Sequence, residues 1–374
     1  AAIPQAGGPS AYASLALGSF WGYISGLSCL IEFVFAPPAI AIALGGYIHN
    51  IFPFVTPITA TIFAFIFFIF MNYLGTKTSA VFELIVTIIA LLGLIVFWIL
   101  AFPHFQWTNI TSDSFLPHGF SGIMSAIPFA IWFYLAIEGG AMSAEEMVNP
   151  QRDIKIGFIS GMVTLTIMAF FTLFLTAGIT NYHLISRVDF PLPKALGLAM
   201  GNEKSFGVIL INAVGLFGLA ASLHGIIIGY SRQTYAMSRS GYLPKIFSHL
   251  NRTFYTPTFA LIIPGFIGLG VAFTGLTDTA ITMSVFGSVV TYIISLISLF
   301  VLRIKKPNMS RPFRVYYPVL PAVSFVLALF CLMSLIYTSF KVLPWLFLIY
   351  LVGIIHYFYG RKNVALENGG CYHN

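Results

Sequence analysis

The sequence predicts an all-α integral membrane protein with many spans. Three observations predict it. Apolar residues make up 58% of the 374 and charged residues only 8%, where a soluble domain carries about 25% charged. Mean hydropathy is +0.92. Apolar runs of about 18 or more residues, each long enough to cross a bilayer, recur along the whole chain. Lipid solvates such apolar surface, so no conventional soluble core is needed.

Ten runs read as spans: 17–48, 57–75, 78–102, 119–147, 156–179, 207–237, 257–275, 279–303, 318–339 and 343–360. The first and sixth exceed the ~20 residues needed to cross, so they must tilt, bend or protrude. Pro37-Pro38 interrupts the first, and neighbouring helices must satisfy the freed carbonyls. The chain opens on Ala1-Ala-Ile-Pro-Gln-Ala-Gly-Gly-Pro9, which reads as a loop leaving an earlier segment, so a fragment is expected. Cys29, Cys331 and Cys371 give no disulfide framework and no metal-ligand spacing.

Orientation follows from the basic residues. One set of loops holds Lys77, Arg152, Lys155, Arg232, Arg239, Lys245, Arg252, Arg303, Lys305, Lys306, Arg311, Arg314, Arg361 and Lys362. The other holds Arg187, Lys194, Lys204 and Lys341. The basic side is therefore expected to be cytoplasmic, with the C-terminus on it. Topology accounts for the net charge of +7, and no nucleic-acid partner is implied.

The spacing hides a repeat. A long span, a shorter one and a near-immediate third occur at 17–48, 57–75 and 78–102, and again at 207–237, 257–275 and 279–303. The tight link at Thr76-Lys77 lies on the basic side and its counterpart, Gly275 to Asp278, on the other. Equal rhythm with opposite orientation is what an inverted-topology repeat predicts.

Candidate functional residues are few. Glu32, Glu83 and Glu138 are the acidic residues within spans, and no Lys or Arg sits well inside one. Intramembrane charge that is only negative or titratable favours a cationic or neutral substrate, or protons, over an anion. The plain alternative is that each carboxyl is protonated or bonded to a backbone carbonyl. Glu83 is about two turns from the basic end, where it can snorkel, and reads as structural. His224, midway along its span, either relays protons or bonds a neighbour. Trp132, Phe133 and Tyr134 are consecutive and cannot share one helical face. Either some face lipid or the backbone unwinds next to Ala136 and Gly139-Gly140, as in broken transporter helices; a merely bulky span is the alternative. Gly225 and Gly229 have the spacing of a helix-pair contact. Glu145 and Glu146, before the Asn149-Pro150 stop, are expected to face Arg232 and Arg239 as a gate on the basic side, or to form ordinary surface pairs.

Several stretches carry a family resemblance. They are Ala144-Glu-Glu-Met-Val-Asn-Pro-Gln-Arg-Asp-Ile154, Ser231-Arg-Gln-Thr-Tyr-Ala-Met-Ser-Arg-Ser-Gly-Tyr-Leu-Pro244, Ile3-Pro-Gln-Ala-Gly-Gly8 and Arg311-Pro-Phe-Arg314. Together they resemble the amino acid–polyamine–organocation superfamily. Within it, Leu30 to Ala41, Ile127 to Gly139 and Gly229 to Gln233 are most similar to ethanolamine permeases. The resemblance implies a LeuT-like five-plus-five inverted repeat with two extra C-terminal helices, ten of twelve spans being present. Residues 1–102 would be the rest of the first repeat, 119–303 the second, 318–360 the extra helices and 361–374 a cytoplasmic tail. It also implies that the aromatic at Trp132 lies over the substrate as a gate. In some proton-coupled relatives a lysine replaces a bound cation in the helix equivalent to 78–102. This chain has Glu83 there instead, which leaves the coupling open.

The expectation is a secondary transporter of the cytoplasmic membrane that imports ethanolamine or a related small amine by alternating access. Trp132, Phe133, Tyr134, Glu138 and Glu32 would bind substrate, and Glu138 or His224 would carry a coupling proton; Na+ is the other candidate ion. The alternatives are an amino acid permease or exchanger of the same fold and a transport-dead sensor or receptor. No cofactor is implied, and an enzyme is the weakest option because no nucleophile motif appears.

Overall fold

The computed structural model describes residues 2–111, 118–186 and 188–367. Lys77 and Glu146 have side chains outside the described residues, as do Arg361 and Lys362; Arg187 and the tail beyond 367 lie wholly outside them. The elements are α1 Pro9–Leu17, α2 Ser19–Ile51, α3 Pro57–Tyr73, α4 Thr76–Ala101, α5 Trp107–Thr111, α6 Gly119–Trp132, α7 Gly139–Met142, α8 Pro150–Ile179, α9 Pro191–Ala199, α10 Phe206–Arg239, α11 Thr258–Phe273, α12 Thr277–Lys305, α13 Val319–Thr338 and α14 Leu343–Glu367. Among the described residues seven are long and apolar enough to cross a membrane, and α3, α6 and α11 are shorter apolar helices.

Local chemistry sets several of the ends. Thr56 and Ser205 accept a hydrogen bond from the backbone N–H three residues on, at 3.3 and 3.4 Å, and so cap α3 and α10. Arg311 closes α12: its guanidinium donates to the carbonyls of Leu302, Lys306, Pro307 and Met309. That satisfies orphan carbonyls and places a cation at the negative end of the helix dipole.

α2 is the central helix, packed on α3, α10, α11 and α12. It runs unbroken for 33 residues, so Pro37-Pro38 does not interrupt it. Each proline removes one bond, to Phe33 and Val34, but both prolines are buried, with neighbouring helices on either side. α10 packs on α2, α3, α4 and α11. Exchanging α2 with α10, α3 with α11 and α4 with α12 carries the α2–α12 contact onto α10–α4. The same exchange carries α2–α3 onto α10–α11 and α2–α11 onto α10–α3. The packing thus follows the same exchange as the length rhythm in the sequence.

A close backbone approach joins α2 and α12. A Cβ at Gly287 would run into the Ser28 carbonyl and the Glu32 backbone nitrogen. One turn earlier on α12, Ser284 donates its hydroxyl to the Glu32 carbonyl at 2.7 Å. Gly225 and Gly229 do not serve a single helix pair: Gly225 faces Glu83 of α4, and Gly229 faces the Phe33 ring of α2.

A candidate substrate site at a broken helix

The run 119–147 is not one helix. α6 ends at Trp132, turns occupy 133–138, and α7 begins at Gly139. Inside the break Ala136 has φ 62, a left-handed conformation that costs a non-glycine residue about 1–2 kcal/mol. A partner holds it there. The Ala136 N–H donates to Glu32 Oε1 of α2 at 2.8 Å. This hydrogen bond fixes the break against the central helix.

The other carboxylate arrives from the break itself. Glu138 is 5% exposed, and Glu32 and Cys29 are fully buried. Ligand atoms of Cys29, Glu32 and Glu138 all lie within 4.8 Å of one another. The Cys29 thiol donates to Glu138 Oε1 at 3.9 Å. From α12, the Tyr292 hydroxyl reaches both Glu138 Oε2 and the Tyr134 carbonyl, each at 3.4 Å. Glu32 Oε2 is buried and has no hydrogen-bond partner. Among the described residues neither carboxylate has an ion pair to Lys or Arg. Two ionised carboxylates this close in a low-dielectric site repel strongly, so the site calls for a cation or a proton.

The three aromatics divide. Trp132 packs against both of the buried clusters that meet at the break, one centred on α2 with α3 and α10 and the other on α12 with Ile31, Leu335 and Leu346. Tyr134 donates its hydroxyl to Thr166 of α8 at 3.3 Å. Phe133 is 45% exposed and does not join the cluster. His224 is also away from it. His224 is fully buried between the Phe68 and Phe82 rings, with Nδ1 4.0 Å from Glu83 Oε2. Glu83, read as a snorkelling residue, therefore reaches inward as well. Sequence reasoning missed Cys29 and Tyr292. Cys29 lies three residues before Glu32, on the same face of one helix, and that spacing was a usable signal. Tyr292 gave none.

On the basic side, Glu145 joins two segments. It accepts from the Ala6 N–H at 3.0 Å and from Arg239 at 3.1 Å. Arg232 donates to Ser143 at 2.7 Å; the expected partner Glu146 has its side chain outside the described residues. A cavity of about 540 Å³ beneath them is lined by Gly7, Ala11, Ser14, Glu145 and Arg239 among others. The Glu145–Arg239 pair is half exposed, so it is worth under about 1 kcal/mol. Breaking it should shift the opening of this face by less than about fivefold. Glu145→Gln is thus expected to speed alkylation of an Ala11→Cys reporter about two- to fivefold. The Ala6 N–H first, then Arg239, hold the Glu145 carboxyl below its ordinary range, against an opposing desolvation. The contact is therefore intact above the ordinary carboxylate range and is lost as pH falls through the lowered value. Acidification should close the gap between the parent and Glu145→Gln reporter rates, and a constant gap would refute the latch.

The sequence of this chain was compared with known proteins. Residues 1–357 match the model of a family described as amino acid permease. The chain belongs to the amino acid permease family. It is 28% identical to an uncharacterized transporter of Rhizobium meliloti, over 88% of this chain and 72% of that protein. It is 26% identical to the branched-chain amino acid permease of Bacillus subtilis and 26% identical to the methylthioribose transporter of the same organism. Each of those matches covers 98% of this chain and 82% of the relative. The chain is a multi-pass membrane protein of a transporter family, with an all-helical, LeuT-like architecture in which the break at 133–138 interrupts one span.

Proposed function

We propose that the chain is a secondary transporter that recognises a small solute through its ammonium group, with ethanolamine or a related small amine as the substrate. The observation that carries this is the pair of buried carboxylates, Glu32 and Glu138, at the helix break, with no Lys or Arg ion pair among the described residues. The ammonium would sit against Glu138 and Glu32, with Trp132 beside it. Cation–π attraction there is worth about 0.5–2 kcal/mol. Alternating access would be rocking of one helix bundle against the other across the cytoplasmic membrane, the basic side facing the cytoplasm. A proton on Glu138 or His224, or Na+, would be the coupling ion.

A second reading is favoured by the family match: an amino acid substrate, as in the name of the branched-chain relative. A relative of equal similarity is named a methylthioribose transporter, so similarity alone does not dictate an amino acid. Uptake of labelled ethanolamine by cells expressing the full-length protein decides between them. Inhibition by unlabelled amines but not by amino acids supports the amine. Inhibition by amino acids moves the substrate to that class, and binding without flux supports a sensor. Trp132→Ala is expected to raise the half-saturation concentration about 2- to 30-fold, as the cation–π term implies. An unchanged value would remove Trp132 from the site.

A further inference from the structure

The same cluster has the donor set of a metal site. Its sequence shows no metal-ligand spacing, because Glu138 comes from a helix break 106 residues beyond Glu32. In space, Cys29 Sγ and one oxygen each of Glu32 and Glu138 lie within 4.8 Å of one another. Two of the three donors stand three residues apart on α2, which is braced by the backbone contact at Gly287 and by Ser284. The third is oriented by Tyr292, whose hydroxyl is 3.4 Å from Glu138 Oε2 and offers a fourth oxygen. A second observation points to a ligand: Glu32 Oε2 is fully buried and meets no N–H or O–H donor, its neighbour being the Glu138 carboxyl, while Oε1 is committed to Ala136. Buried polar atoms in folded proteins are ordinarily satisfied, so such an orphan needs an explanation.

We infer that Cys29, Glu32 and Glu138 bind one thiophilic divalent cation, Zn2+ or Cd2+. With Cys29 deprotonated the three donors carry three negative charges, so a divalent ion leaves the site at a net −1, the same as an ammonium leaves on two carboxylates; the thiol donor, not the charge, favours the metal. Donor type sets the selectivity. A thiolate with two carboxylates suits Zn2+ and Cd2+, while Ca2+ and Mg2+ require six or more oxygens. Zinc bonds of about 2.0–2.3 Å require the donors to close in by roughly 1 Å, within the reach of side-chain rotation. Three protein ligands leave a fourth position for Tyr292 or water. On binding, Cys29 forms the metal–sulfur bond and releases its proton to solvent; nothing is oxidised or reduced. Metal binding stands without the transport reading. Competition between the ion and an amine rests on it.

The test is a titration of the purified full-length protein with Cd2+, read by the ultraviolet thiolate-to-cadmium band, together with equilibrium dialysis against Zn2+. The expected result is one ion per chain, not displaced by excess Mg2+ or Ca2+. Cys29→Ser should abolish the band and weaken binding at least tenfold. Cys29→Ala serves the same purpose should the serine variant aggregate. Glu32→Gln should weaken binding by a similar factor, and Cys331→Ser should change nothing. A band that survives both Cys29 variants, one that disappears in Cys331→Ser, or no bound ion overturns the inference. Metal binding in a protein that moves no amine sinks only the transport reading. Amine uptake in a protein that binds no ion sinks only the metal site.

Discussion

Glu138→Gln is expected to abolish concentrative uptake while leaving the protein folded and at the surface. The substitution keeps the shape, and its amide oxygen can retain one of the two contacts made to the separate carboxylate oxygens, from Tyr292 at 3.4 Å or from Cys29 at 3.9 Å. What it removes is charge in a site that is 5% exposed. Removing one member of a buried, desolvated charge pair costs about 2–5 kcal/mol, much of it from the partner left uncompensated. For a bound ammonium that is a loss of affinity of roughly 30-fold or more. Glu138→Asp retains the charge but withdraws it by one methylene, and should keep part of the activity. Normal transport by Glu138→Gln, measured at matched surface expression, would end the counter-charge role.

Gly287→Val should prevent the chain from reaching a monodisperse folded state. The atoms its side chain would meet belong to the backbone of α2 at Ser28 and Glu32, and backbone inside a helix cannot swing aside as a side chain can. Overpacking in a tight core typically costs about 1–3 kcal/mol, and more when no neighbour can yield. α2 is the helix on which most of the bundle packs, so displacing it also moves Glu32 away from Ala136. Gly287→Ala should show a weaker form of the same defect. Gly161→Ala on α8 is the control, since no atom lies within 4 Å of the Cβ it would add. Equal yield and size-exclusion profile for Gly287→Val and the control would show that the contact is not required.

Both expectations depend on features that the sequence revealed unequally. Nine of the ten apolar runs are helical nearly throughout among the described residues, and 119–147 is helical on either side of its break, because hydrocarbon leaves the backbone no other partner. The unwinding near Ala136 was legible from the consecutive aromatics and Gly139-Gly140. Its position opposite Glu32 was not, since that depends on how α2 and the break pack. Pro37-Pro38 misled, because a local rule for helices in water undervalues burial on all sides. Glycine spacing also misled: Gly225 and Gly229 share a face yet meet different neighbours. Glu83 and His224 were each read alone, and their 4.0 Å approach depends on α4 lying against α10. Cys29 was visible but went unused, since a cysteine within an apolar run ordinarily signals packing.

The short helices have a consequence for the surrounding lipid. α3 and α11 have 17 and 16 residues, about 25 Å of helix each, against a hydrocarbon slab of about 30 Å. They pack against each other and expose Phe63, Ile66 and Phe70 on one, Phe266 and Ile267 on the other. On that flank the bilayer must thin or the interface must dip by roughly 5 Å, at a fraction of a kcal/mol for each ångström. The elastic energy of the lipid thus enters the balance between conformations, and any movement that tilts α3 with α11 draws on it or returns it.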